Sequence, residues 1–279
     1  MTEGQKITYP YERGVDIPKG ASGETWEFVV NRGKELLADT AFVTGASFTQ
    51  KDIDSLKQYY QEVFDYQDKK FGADGAVFNR SLREHLLLAE RIAQEAAPIL
   101  GIDTYLLQGV ALTHDFGRIF SHRRGRNNAI ERVLSQKIGF NRAFTKLLPP
   151  DTLWTDVQEA PLKDRLQKIT TEDGGIVGAV KLIDVLAKWE NKPEGRLRKW
   201  ESVISSSRAG QHSPEKKKMW PSELKRQRKI ASNEGNEAIA TKYEYLKNWF
   251  EGKTGLKVNN FVRQVEKSLA DRPLKESWT

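Results

Sequence analysis

The chain holds four histidines, His85, His114, His122 and His212, and no cysteine, so any metal or proton chemistry rests on few positions. His85 lies three residues after Leu82 and four before Ala89, on the apolar stripe of a helical pattern. The run LLQGVALTHDFGRIFSHRRGR, 106–126, is an apolar helix that ends on adjacent His114 and Asp115, with Gly117 and a cluster of arginines beyond. Asp184 sits four after Val180 and three before Ala187, again beside an apolar stripe. Three separate helices thus each turn a metal-ligating side chain inward. An isolated buried carboxylate is costly to ionise, and two are worse. One divalent cation held by His85, His114, Asp115 and Asp184 removes that cost for all four groups. Its octahedral preference leaves two positions for water or substrate. Each feature alone fits a hydrogen-bonded core residue, and Asp184 alone fits a cap or a partner for Lys188. Their conjunction favours the metal site. Without thiolates, the expected ion is Mn, Fe, Co, Ni, Mg or Zn.

The elements that must carry these residues are all helical. Trp26, Val29, Val30, Gly33, Leu36 and Leu37 share one face. A second helix starts at Thr49, with Asp52 reaching back to cap it and Ile53, Leu56, Tyr60 and Val63 as its stripe. The Gly- and Asp-rich FGADGA reads as a loop, followed by a long helix over 80–100. Gly101 is a natural C-terminal cap, and Asp103 caps the helix that runs into His114, with Gly117 expected to end it. Residues 175–190 form another apolar helix, interrupted by Lys181 and Asp184. Two amphipathic helices close the chain, with stripes of Ile239, Tyr243, Leu246 and Phe250, then Val258, Phe261, Val262, Val265 and Leu269. The fold class is all-α.

Composition narrows the function classes. Hydrophobic residues at 38% and charged residues at 30% describe a globular protein. No apolar run is long enough for a membrane span, and MTEGQKITYPYERG has no signal-peptide core, so a cytoplasmic protein without membrane partners is expected. The net charge of +7 is local: 205–230 holds eight Lys/Arg against two Asp/Glu, and 118–132 five Arg against one Glu. Two basic patches on a chain that is otherwise slightly acidic suggest anion handling at particular places.

The order His85, His114-Asp115, Asp184 resembles the H…HD…D signature of the HD-domain superfamily of metal-dependent phosphohydrolases. The surrounding texture is similar too: SLREHLLLAERIA, LLQGVALTHDFGR and GAVKLIDVLAKW. So are the spacings, 29 residues from His85 to His114 and 69 from Asp115 to Asp184. The resemblance covers about 76–190, under half the chain, and the flanks resemble no particular subfamily. It implies an HD-like helical bundle core at 76–190; periodicity and composition add an N-terminal helical extension (1–75), a basic polar linker or insertion (191–232) and a C-terminal helical pair (233–279) expected to pack on the core. It also implies a metal held by His85, His114, Asp115 and Asp184, whose bound water attacks a phosphorus centre. Asp115 is then the expected catalytic residue, orienting or deprotonating that water. Some HD proteins hold a second metal with further histidines, and here only His122 lies in the interval, so one ion is expected. His122 is left as a phosphate contact or proton donor.

Arg118, Arg123 and Arg124 follow the metal dyad closely, and guanidinium forks bind phosphate bidentately, so they are expected to face the substrate. Arg126 reads equally well either way, and Glu131 and Arg132 read as the outer face of the next helix. Lys181, one turn before Asp184, has two readings: a point charge for a phosphate oxygen, or an ordinary solvent-exposed lysine. The expected partner is a phosphorylated small molecule such as a nucleotide. EKKKMWPSELKRQRK, with Trp220 among its cations, admits an HD-type nuclease or nucleic-acid binder as the alternative, although a solvated charged face is the preferred reading of that stretch. A non-catalytic interaction protein stabilised by metal is the third reading.

Overall fold

The structure is a computed structural model that describes residues 23–120, 127–148, 162–187 and 241–274. His122, Arg123, Arg124, Arg126, the basic stretch 205–230 and His212 lie outside them. The architecture is all-α, with no strand among the described residues. In chain order the helices are α1 (Gly23–Leu37), α2 (Ala41–Thr44), α3 (Gln50–Leu100), α4 (Thr104–Thr113), α5 (Asn127–Ile138), α6 (Arg142–Leu147), α7 (Leu162–Thr171) and α8 (Ile176–Ala187). Residues 241–254 continue as α9, and α10 is Val258–Asp271.

α3 is two helices in one run, reversing at Gly72, whose φ of 66° and ψ of −153° suit only glycine. The halves are antiparallel. Lys57 Nζ pairs with Glu90 Oε1 at 3.0 Å, and Arg83 Nη2 with Asp65 Oδ1 at 2.9 Å. The turn expected over FGADGA is therefore sharper than a loop, because one glycine suffices for it. At the helix start, Asp52 accepts from the Thr49 N–H at 2.7 Å and from Ala41 N–H at 2.8 Å, tying α2 to α3. Gly101 closes α3 at φ 67°, and Asp103 Oδ1 accepts from Leu106 N–H at 2.7 Å to open α4.

α8 is buried on all sides, Lys181 and Asp184 included, and packs against α3, α4 and α7. Its neighbours approach closely. A Cβ at Gly178 would sit 2.8 Å from Thr170 Cγ2, and one at Gly109 of α4 would sit 2.7 Å from the Phe42 ring. Phe42 is itself caged by Phe48, Phe140 and Phe144 at ring separations of 5.0, 5.5 and 4.9 Å. Asn141 fixes this corner, donating from Nδ2 to Ala41 O and Phe42 O at 3.0 and 2.9 Å while capping α6 through Phe144 N–H.

The terminal helices join the same apolar core. Tyr59 donates to Val29 O of α1 at 2.9 Å, and Trp26 meets Phe120 at 5.1 Å. On the other side, Lys253 Nζ of α9 donates to Gly174 O at 3.1 Å. Ser268 of α10 donates to Glu95 Oε1 at 2.6 Å and accepts from Arg91. α3 is thus braced from both sides, by α1 and by α10, and it carries His85 of the candidate site.

Candidate metal centre

His85 comes from the second half of α3, His114 ends α4, Asp115 opens a 3-10 turn over Phe116–Ile119, and Asp184 lies in α8. One ligand atom from each lies within 4.8 Å of the others. The two imidazole Nε2 atoms are 3.3 Å apart. His85 Nε2 is 3.3 Å from Asp115 Oδ2 and 3.7 Å from Asp184 Oδ1; His114 Nε2 is 3.6 and 3.7 Å from the same oxygens. An ion about 2.1 Å from nitrogen and oxygen donors sets neighbouring donors about 3.0–3.4 Å apart, so the two 3.3 Å separations suit one cation. Those of 3.6 and 3.7 Å need a small inward shift of the side chains to hold it.

The ring orientations are fixed from behind. His114 Nδ1 donates to Ala111 O at 2.6 Å and His85 Nδ1 to Ala187 O at 3.2 Å. With protons on both Nδ1 atoms, each neutral ring presents its Nε2 lone pair to the other ring and to two carboxylates. Four acceptors facing one another repel unless a cation or a proton sits between them. Two borderline nitrogen donors and two hard oxygen donors fit a divalent transition ion or zinc.

The ionisation pattern reflects the same crowding. Burial pushes the Asp115 carboxyl up, but the charge of His114, the His85 hydrogen bond and Arg118 outweigh that and the opposing Asp184, holding it at about 2. For His85, burial pushes the pKa down and Arg118 adds to that, yet the Asp115 hydrogen bond and the charges of Asp115 and Asp184 carry it above the ordinary imidazole value. Arg118 Nη2 lies 2.8 Å from Asp115 Oδ2.

The turn after the dyad is stitched in place by side chains that the sequence reading placed in other roles or in none. Tyr60 donates to Thr113 Oγ1 at 3.0 Å, and its ring stacks on Phe116 at 3.8 Å. Gln67 Nε2 donates to Ile119 O at 3.2 Å. Gly117 N–H donates to Glu131 Oε1 at 3.3 Å.

A scan against models of protein families, a search of curated proteins and a search of solved structures each return no match. The site must therefore be read from its own chemistry.

Several expectations change in detail. Gly117 does not end α4, which stops at Thr113; it lies inside the 3-10 turn. Glu131 is not on an outer face but only 1% exposed, at the Gly117 N–H. The signal was present, since Glu131 precedes Leu134 by three and Ile138 by seven on the buried stripe of α5. Lys181 is 5% exposed, which removes the reading of it as a solvated lysine and leaves its role on α8 beside Asp184 to chemistry.

Proposed function

We propose that this chain is an HD-type metal-dependent phosphohydrolase that cleaves a phosphate ester of a nucleotide or similar small molecule. The observation that carries the reading is the convergence, from three helices and the turn after α4, of two imidazole nitrogens and two carboxylate oxygens within 4.8 Å. A divalent ion in that donor set supplies Lewis acidity, lowering the pKa of water and offsetting charge on a phosphoryl group. His85 and His114 hold the ion in rings that backbone carbonyls keep in the required tautomer, and Asp184 adds charge from α8. Asp115 faces the imidazoles through Oδ2, which leaves Oδ1 to orient and deprotonate the attacking water. Arg118, on the rim with 27% of its side chain exposed, offers a guanidinium to the substrate's phosphate. Lys181 adds positive charge from α8, and the sequence reading of His122, Arg123 and Arg124 as phosphate contacts is part of the same proposal.

The test is phosphate release from a panel of nucleotides and sugar phosphates with Mn, Co, Ni, Mg or Zn, beside the Asp184→Asn variant. Metal-dependent turnover that the variant loses supports the reading. A metal-loaded protein that leaves every small ester intact but cuts oligonucleotides favours the nuclease reading, to which the basic run at 216–229 and Trp220 lend support. Tight metal without turnover on either class would favour a metal-stabilised interaction protein.

A further inference from the structure

We propose that Arg118 and the divalent ion compete for one oxygen of Asp115, so that metal binding releases Arg118 to the anionic substrate. The inference rests on the metal-site reading above. Asp115 Oδ2 is the oxygen turned toward both imidazoles, at 3.3 and 3.6 Å. Arg118 Nη2 sits on that same oxygen at 2.8 Å. A guanidinium and a dication on one buried carboxylate oxygen repel each other, and the oxygen cannot give full bonds to both.

The backbone gives Arg118 little freedom. Its N–H donates to Asp115 O at 3.0 Å, and the preceding Gly117 N–H is held by Glu131. Displacement must therefore swing the side chain alone, and its partial exposure opens the way outward to solvent. Until then the arginine offsets the Asp115 charge, taking part of the cation's place. Once displaced, it carries a positive charge on the rim of the site, where a phosphate can take it up.

Binding linkage then makes a prediction with a definite sign. Phosphate that captures Arg118 raises metal affinity, and metal raises phosphate affinity by the same factor. Removing the arginine's charge relieves the competition and abolishes that part of the coupling.

The experiment is calorimetric titration of Mn²⁺ into the full chain and into Arg118→Met and Arg118→Gln, each with and without inorganic phosphate. Both variants are expected to bind Mn²⁺ severalfold more tightly than the parent without phosphate, the scale of a partly exposed ion pair competing for the oxygen. Phosphate is expected to tighten Mn²⁺ binding in the parent and to lose most of that effect in the variants. If the variants bind Mn²⁺ equally or more weakly, Arg118 supports the metal ligand instead of competing with it, and the inference fails while the metal site stands. If the parent binds no Mn²⁺, the metal-site reading itself falls and takes the inference with it.

Discussion

Alanine at Gly109 and alanine at Gly252 are expected to shift stability in opposite directions. Both glycines lie within helices, where replacing glycine by alanine gains up to about 1 kcal/mol from backbone entropy. At Gly252 a Cβ meets nothing within 4 Å, so only that gain applies. At Gly109 it would sit 2.7 and 2.9 Å from two atoms of the Phe42 ring. Phe42 is fully buried and caged by three aromatic rings, so it cannot retreat. Overpacking of this kind costs about 1–3 kcal/mol, and the caged ring places Gly109→Ala toward the upper end. The net is a loss of about 1–2 kcal/mol, or roughly 2–6 °C in melting temperature for a chain of this size. Because α4 delivers His114 five residues further on, the same displacement is expected to weaken Mn²⁺ binding about tenfold, the scale of losing support behind a ligand. Guanidinium denaturation in EDTA, with Gly252→Ala as control, reads the stability, and Mn²⁺ titration reads the site. If Gly109→Ala proved as stable as Gly252→Ala, α4 would not rest on Phe42 as described.

Other perturbations probe the framework and the site. Asn141→Ala removes the α6 cap and the donor to two carbonyls, and is expected to cost about 2–4 kcal/mol in urea denaturation. For Asp52, burial pushes the carboxyl up, but hydrogen bonds from the Thr49 hydroxyl and from the Ala41 and Thr49 backbone outweigh it and hold the pKa below the ordinary value. A depressed carboxyl pKa stabilises above the unfolded value and loses that contribution as pH falls through the folded one. Asp52→Asn should therefore cost about 1–3 kcal/mol near pH 7 and progressively less in acid, read by melting the EDTA-treated protein across pH. A parallel loss at every pH would rule out the carboxylate as the source. Tyr60→Phe leaves the Phe116 stack intact and removes one buried hydrogen bond to Thr113, so a stability loss of about 1 kcal/mol is expected in thermal melts.

What the sequence discloses here is local. Asp103 and Gly101 announce the junction of α3 and α4 because a cap needs only its own few residues. The inward aspect of His85 and Asp184 follows from their positions in apolar stripes, and their meeting with His114 and Asp115 needed the packing of α3, α4 and α8 to realise it. Long-range pairing was not legible. Periodicity placed helices on both sides of Gly72 without showing that their faces meet through Lys57–Glu90 and Arg83–Asp65. It could not say that Ala187 O would hold the His85 ring across 102 residues of chain. Glu131 departs from its outer-face reading because a charged residue beside a stripe is ordinarily solvated and only a buried partner reverses that, and burial removes just one of the two readings of Lys181.

The most direct test of the metal site is the elemental content of the purified, unchelated protein beside Asp115→Ala, with circular dichroism to confirm equal helix content. About one equivalent of divalent metal is expected in the parent and almost none in the variant. A parent that stays metal-free after incubation with excess Mn²⁺, Ni²⁺ or Zn²⁺, or a variant that holds metal as tightly as the parent, would contradict it.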